Sequence, residues 1–334
     1  MLDVAGLMLI TVVVLAVVFD YINGFHDTAN AIATSVATRA LQPRVAIAMA
    51  TVFNFVGAFA GTAVAKTIGA GLVEEATTST TVIAAALVGA IVWNLITWWL
   101  GLPSSSSHAL IGGLLGSTLV AAGTGAFKMQ GIIDKVLFPM ISSPLIGFVV
   151  ALVLVVSLFW LFRKAPRRPM TTVFRRLQIL SAGFMAFSHG SNDAQKTMGI
   201  ITLALFSAGA IATVDVPVWV IIVAASALSL GTAVGGWRIM HTMGHRVVKL
   251  EPVHGFAAET TAATVLFTTA HFGMPVSTTH VISAAIMGVG TAHGVRGVRW
   301  GVARRILLAW VITLPAAGFV AAVTWLLLHF LGLG

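Results

Sequence analysis

Long apolar runs, broken at matched places by short polar sequences, set the pattern of this 334-residue chain. The runs fall near residues 4–22, 45–66, 80–100, 139–162, 177–211, 218–240, 254–272 and 304–332, with shorter ones near 28–38, 107–122 and 278–293. Stretches of about 18–25 apolar residues match the hydrocarbon core of a bilayer, so the pattern predicts membrane helices. The polar interruptions are of two kinds, and each occurs twice. Asn23-Gly24-Phe25-His26-Asp27-Thr28-Ala29-Asn30 is answered by His189-Gly190-Ser191-Asn192-Asp193-Ala194-Gln195-Lys196-Thr197, and Pro103-Ser104-Ser105-Ser106-Ser107-His108 by Pro275-Val276-Ser277-Thr278-Thr279-His280. Polar groups at membrane depth are costly without partners, and two copies of the same interruption imply a duplicated unit with a site between its halves. The expected architecture is an all-α polytopic membrane protein, an inverted-repeat transporter with two helical hairpins at the substrate site. Its first repeat covers residues 1–162, a basic cytoplasmic linker 163–176, and the second repeat 177–334.

Charge supplies the orientation. Cytoplasmic loops gather Lys and Arg, which puts inside the loop with Arg163, Lys164, Arg167, Arg168, Arg175 and Arg176. The stretches with Arg296, Arg299, Arg304 and Arg305, with Arg238, Arg246 and Lys249, and with Arg39 and Arg44 join it. Links with Glu74 and Glu75, or with Asp215 alone, go outside. Equivalent links of the two halves thereby fall on opposite faces, which makes the repeat inverted. A further echo, Lys66-Thr67-Ile68-Gly69 with His241-Thr242-Met243-Gly244, supports the pairing. The arrangement closes with about six full spans, two hairpins and both termini outside. Leu2 to Thr38 is longer than one bilayer crossing, so it must tilt, break or cross differently.

Composition narrows the class. With 58% hydrophobic residues, 9% charged and a mean hydropathy of +1.00, an ordinary soluble domain is excluded. The net charge of +9 reads as membrane topology, with no nucleic-acid partner. The absence of cysteine excludes disulfides and thiol catalysis. No Walker or dinucleotide pattern occurs, and paired small residues such as Gly57 and Gly61 read as helix packing.

Four clusters carry the candidate chemistry. Pro103 and Pro275 break their helices, after which Ser104, Ser105, Ser106 and Ser107, and Ser277, Thr278 and Thr279, can aim hydroxyls and helix N-terminal N–H groups at an anion. The plainer alternative is that these residues only cap buried helices. Asp27 and Asp193, with Asn23, Thr28, Asn30 and Asn192 nearby, suit a hard cation or carry protons. Alternatively, each Asp caps a helix beginning at the next residue. Sodium sites are open at Asp27, Asn30 and Asp193, and no other metal is expected. Asn30 corresponds to Lys196, whose ammonium could take a cation's place, pair with Asp193, contact the anion together with Gln195 and Thr197, or snorkel to the surface. Glu259, inside the run 254–272, is either a coupling residue or a partly wet one near the cytoplasmic face. Asp20 is interfacial or a partner of the first motif. His26, His108, His189 and His280 are proton carriers or hydrogen-bonding scaffold, and His241 with His245 reads as a surface pair.

At these motifs the chain resembles the inorganic phosphate transporter (Pit) family, bacterial low-affinity type. The resemblance rests on Asn23 to Ala31, Gly190 to Asp193, Pro103 to His108, Gly236-Trp237-Arg238, Gly255 to Glu259 and Pro275 to His280. It implies secondary active symport of inorganic phosphate across the plasma membrane, with H+ or Na+ as coupling ion and no other cofactor. It also implies that bacterial members carry phosphate as a neutral metal complex. Asp27, Asn30, Asn192 and Asp193 would serve ion and phosphate binding, and Glu259 matches an acidic position of eukaryotic relatives. Gln195-Lys196 stands where many members have Ala-Asn, and Asn54 where eukaryotic relatives are acidic. Both departures favour proton coupling over a multi-sodium mechanism. Rival readings are sodium-coupled phosphate symport, a sulfate permease, an anion channel, and an intramembrane hydrolase using Ser105 or Ser107 with His108 and Asp27. The expected partners are inorganic phosphate and the lipid bilayer. A homodimer and a cytoplasmic PhoU-like regulator, docking at the basic loop, are also open.

Overall fold

The computed structural model describes residues 4–333. Each half repeats one order of elements. The first half has the long helix α1 (Val4–Ala37), the broken pair α2 (Pro43–Gly57) and α3 (Ala63–Ala70), and the hairpin α4 (Thr80–Leu100) and α5 (Ser106–Ala122). The short α6 (Met129–Ile132) then runs through a π-helical turn into α7 (Phe138–Leu161). The second half has α8 (Arg167–Ser207), the broken pair α9 (Val218–Val234) and α10 (Trp237–His241), the hairpin α11 (Pro252–His271) and α12 (Thr278–Gly290), and α13 (Trp300–Phe330). No strand forms among the described residues. Two isolated bridges, Val73 with Phe127 and Val248 with Val298, occupy matching places in the halves.

The halves are tied crosswise. The long helix α1 packs on α9 and α8 on α2, while α13 packs on α5 and α7 on α12. Glycine makes the first of these ties possible. A side chain at Gly24 would overlap the Leu228 carbonyl, and one at Gly190 would overlap the Asn54 carbonyl. Here Asn-Gly and His-Gly are sites of close helix approach rather than turns. Accordingly α1 and α8 run unbroken through both Asp motifs, and neither Asp27 nor Asp193 caps a helix. A continuous helix satisfies its own backbone within lipid, which a break there would not. Its 34 residues give α1 a length of about 51 Å, more than one bilayer crossing.

Large apolar residues such as Trp160, Leu145, Val311 and Phe319 are exposed on the outside of the bundle, as lipid contact requires. Among the described residues, four helices are long and apolar enough to cross a membrane: Gly6–Ala37, Thr80–Leu100, Met129–Leu161 and Trp300–Phe330. The pair Val218–Val234 and Trp237–Arg246, bent by 60°, makes a fifth. The expected six full spans are not met on length and apolarity alone, because α8 carries the polar motif and α2–α3 is short and broken. The hairpin helices α5 and α12 are short, at 17 and 13 residues. Residues 167–176 form the first turns of α8 rather than a linker, so the connection between halves shrinks to the few residues after Leu161. Met1–Asp3 and Gly334 lie outside the described residues.

Candidate functional site

Each hairpin turns at a glycine in the left-handed region, Gly101 (φ 64°) and Gly273 (φ 66°), where a side chain would be strained. The proline follows, and Ser105 and Ser277 then cap α5 and α12, accepting from the His108 and His280 backbone N–H at 3.1 and 3.2 Å. The sequence predicted this capping. The two first turns meet at the centre, where the His108 and His280 rings lie edge to face at 4.7 Å. His280 also stacks on Trp310 at 4.0 Å. Thr67 donates to the Gly273 carbonyl at 2.7 Å, and Thr242 donates to the Gly101 carbonyl at 3.0 Å. The echoed Thr of each broken pair therefore fastens the turn of the other half's hairpin.

The middles of α1 and α8 face these turns. Asn30 Nδ2 donates to Thr279 Oγ1 at 2.9 Å, and at the equivalent place Lys196 donates to Ser107. Lys196 Nζ also pairs with Asp193 Oδ1 at 2.5 Å, and Thr278 donates to the same oxygen at 2.8 Å. Lys196 is only 1% exposed, so it does not snorkel. Asn192 Nδ2 and Ser107 Oγ both donate to the Val276 carbonyl. His26 Nδ1 lies 2.6 Å from Asp27 Oδ1, and its Nε2 lies 3.0 Å from Thr97 Oγ1. Ser104 joins that group by donating to Thr97 at 2.8 Å. One ligating atom from each of Asp27, His189 and Asp193 falls within 4.8 Å of the others. Such a trio can hold a cation. All these residues are buried, so the centre is closed to both faces.

Asn30 Oδ1, Ser106 Oγ, Asn192 Oδ1, His108 Nδ1 and His280 Nε2 are buried without a hydrogen-bond partner. Unpaired buried polar atoms are expensive. Their concentration on these few helical turns fits a place where a polar ligand binds.

Several expected residues point elsewhere. Gln195 Oε1 accepts from the Val64 N–H at 2.8 Å at the start of α3, and its Nε2 donates to the Ser191 carbonyl, so it braces the broken pair rather than the hairpin turns. Thr28 donates to the Gly24 and Thr232 carbonyls, within the α1–α9 contact. Thr197 is a neighbour of Asp20, as is Asn23. Asp20 is fully buried, not interfacial. Glu259 is likewise 0% exposed. It is not a partly wet residue: Thr34 and Gln178 donate to one oxygen and Ser181 to the other, the last at 2.5 Å. Thr38 donates onward to Gln178 at 2.7 Å. The sequence singled out Glu259 but not this nest, although Thr34/Thr38 and Gln178/Ser181 are polar pairs at helical spacing. Thr97 was missed as well. His108 has no Ser or Asp partner in hydrolase geometry, since Asp27 belongs to His26.

A buried, duplicated polar centre between crossed helical repeats is the layout of a membrane carrier. Comparison with known proteins makes the class specific. The model described as "Phosphate transporter family" matches residues 23–321, and the chain belongs to that family. A probable low-affinity inorganic phosphate transporter of Bacillus subtilis is 47% identical over 331 residues, spanning 98% of this chain and 99% of that one. Its counterpart in Rhizobium meliloti is 48% identical over 320 residues, spanning 95% and 96%. A solved structure described as the sodium-dependent phosphate transporter superposes with a TM-score of 0.87 at 26% identity, covering 97% of this chain and 99% of that one. The chain is a multi-pass membrane transporter, not an enzyme.

Proposed function

We propose that this transporter is a proton-coupled symporter of inorganic phosphate in the plasma membrane. The halves are inverted, the basic loop near Arg163 faces the cytoplasm, and both termini lie outside. The observation that carries the reading is the meeting of two capped hairpin turns beside two buried carboxylates. N-terminal N–H groups and the hydroxyls of Ser105, Ser106, Ser107, Ser277, Thr278 and Thr279 supply neutral donors for a tetrahedral oxyanion. Neutral donors bind an anion without holding it too tightly to release. Asp27 and Glu259 are the groups available to take up and release the driving ion, since Asp193 is already paired with Lys196. The repeated order of elements in the two halves, with equivalent links of opposite charge, supports the inversion.

Sodium coupling is the second reading, favoured by the solved relative described as sodium-dependent. The Asp27–His189–Asp193 trio further supports carriage of phosphate with a divalent metal, because it joins two carboxylates and an imidazole at one point.

Radiolabelled phosphate uptake into proteoliposomes tests the reading, with proton and sodium gradients imposed separately and sulfate as competitor. Accumulation driven by the proton gradient alone is the expected result. Uptake that follows only sodium overturns the coupling ion, and uptake displaced by sulfate but not by phosphate overturns the substrate.

A further inference from the structure

We infer that the Lys196 ammonium is a built-in cation, standing permanently where the first half leaves room for one from solution, and that it fixes which ion the carrier uses. The inference rests on the phosphate-symport reading and deepens it.

The argument starts from equivalence between the halves. With Asp27 matched to Asp193 and Ser105 to Ser277, the same register matches Asn30 to Lys196 and Thr279 to Ser107. The structure reproduces that match as contacts: Asn30 donates to Thr279, and Lys196 donates to Ser107. The two positions have the same backbone setting and the same hydroxyl partner, yet differ in what they leave over. Asn30 leaves Oδ1 buried and unpartnered near a carboxylate motif, and Ser106, the counterpart of Thr278 on the other hairpin's first turn, is unpartnered too. Oxygen atoms left bare in a closed site suit a hard cation. Lys196 brings a fixed charge instead of an oxygen, and the oxygens left bare in its half are Asp193 Oδ2 and Asn192 Oδ1. Its Nζ pairs with Asp193 Oδ1 and bonds Ser107 Oγ, and Thr278 donates to that same carboxylate oxygen.

A buried ammonium is costly alone and persists only with a close counter-charge. The tether makes it a poor travelling ion but a constant one. It neutralises Asp193 in every state of the cycle, so the second half needs no external monovalent cation before phosphate binds. Ser107 lies on the hairpin's first turn, which puts the fixed charge next to the donors proposed for the anion. Lys196 is thus a specificity-determining residue for the coupling ion.

The test compares wild type, Lys196→Asn and Lys196→Met. Radioactive sodium binding is measured on detergent-purified protein, and phosphate uptake in sodium against choline medium in proteoliposomes. Lys196→Asn restores an amide oxygen beside Asp193 and should gain sodium binding and at least about tenfold greater uptake in sodium than in choline. Lys196→Met offers no oxygen and should gain neither. The inference is overturned if Lys196→Asn binds no more sodium than wild type, or if Lys196→Met gains the same dependence. Should Lys196→Asn fail to fold, Asp193→Asn combined with Lys196→Met removes both charges. That double variant should bind phosphate better than Lys196→Met alone, and equal or weaker binding would sink the idea. Because sodium binding is read without transport, failure of phosphate uptake in every protein would count against the proposed function and leave the lysine result standing.

Discussion

Two equivalent places beneath the hairpins have been built in opposite ways. In the second half, Glu259 sits in a nest of Thr34, Gln178 and Ser181. At the equivalent place behind the first hairpin, the positions matched to Glu259, Thr34, Gln178, Ser181 and Thr38 are Leu87, Ile200, Val12, Leu15 and Ala204. They form part of one apolar core. A duplicated fold thus carries one buried carboxylate where symmetry offers room for two. The lesson is that the backbone preserves the repeat while the chemistry has diverged, so symmetry predicts contacts better than it predicts function.

The comparison breaks most sharply if the two sites are exchanged. Leu87→Glu buries a carboxylate among Ile200, Val12 and Ala204 with no donor. An uncompensated buried charge costs about 3–5 kcal/mol, so the variant should fail to give a monodisperse folded peak in detergent. The reverse change, Glu259→Leu, leaves three donors without an acceptor at about 1–3 kcal/mol each. It should lower the melting temperature and abolish proton-driven uptake while the protein still inserts. Equal tolerance of both changes would show that the nest is not a distinct site.

Where the halves are alike, they should respond alike. Gly24→Ala and Gly190→Ala each force a methyl against a backbone carbonyl of the other half. Overpacking of this kind costs about 1–3 kcal/mol, and thermal unfolding should show similar losses for the two. Thr67→Val and Thr242→Val each remove one hydrogen bond to a hairpin turn, about 1 kcal/mol apiece. They share no partner, so the double variant should lose the sum. Unequal losses in the glycine pair would mean that the crossed helix contacts differ, and in the threonine pair that the two hairpins are held differently.

The smallest effect is expected at the surface. Lys66 bonds and attracts Asp215, holding that carboxyl below its ordinary range. A carboxyl lowered on folding adds stability above its unfolded pKa, and that contribution is lost as pH falls through the folded value. The pair is exposed and screened by salt. Asp215→Asn should therefore leave melting at neutral pH and physiological salt unchanged within error.

Much of this layout was legible in the sequence. Pro103 and Pro275 announce hairpins because proline breaks helices by local geometry, and Ser105 and Ser277 announce caps for the same kind of reason. The echo of Thr67 in Thr242 was visible before its purpose was. What could not be read were contacts between residues far apart in the chain. Gln195 turns to α3, Thr28 to α9, and Thr34, Gln178 and Ser181 converge on Glu259 from two other helices. No local signal in one sequence says which of several buried polar residues a given helix will face. The alternative of Asp27 and Asp193 as helix caps fails for a different reason: Gly24 and Gly190 serve close packing, and both helices run on through the motifs.

The threonine ties have a consequence for ancestry. Thr67 fastens the turn at Gly273, and Thr242 the turn at Gly101, so each half latches the turn of the other's hairpin. A chain severed after Leu161 would yield two fragments, each lacking the latch that the other supplies. A single-copy forerunner built on this plan could have worked only as a pair of chains, each lending its broken helix to its neighbour. Fusion of two such copies would make that loan permanent and would free one side alone to carry groups such as Glu259 and Lys196.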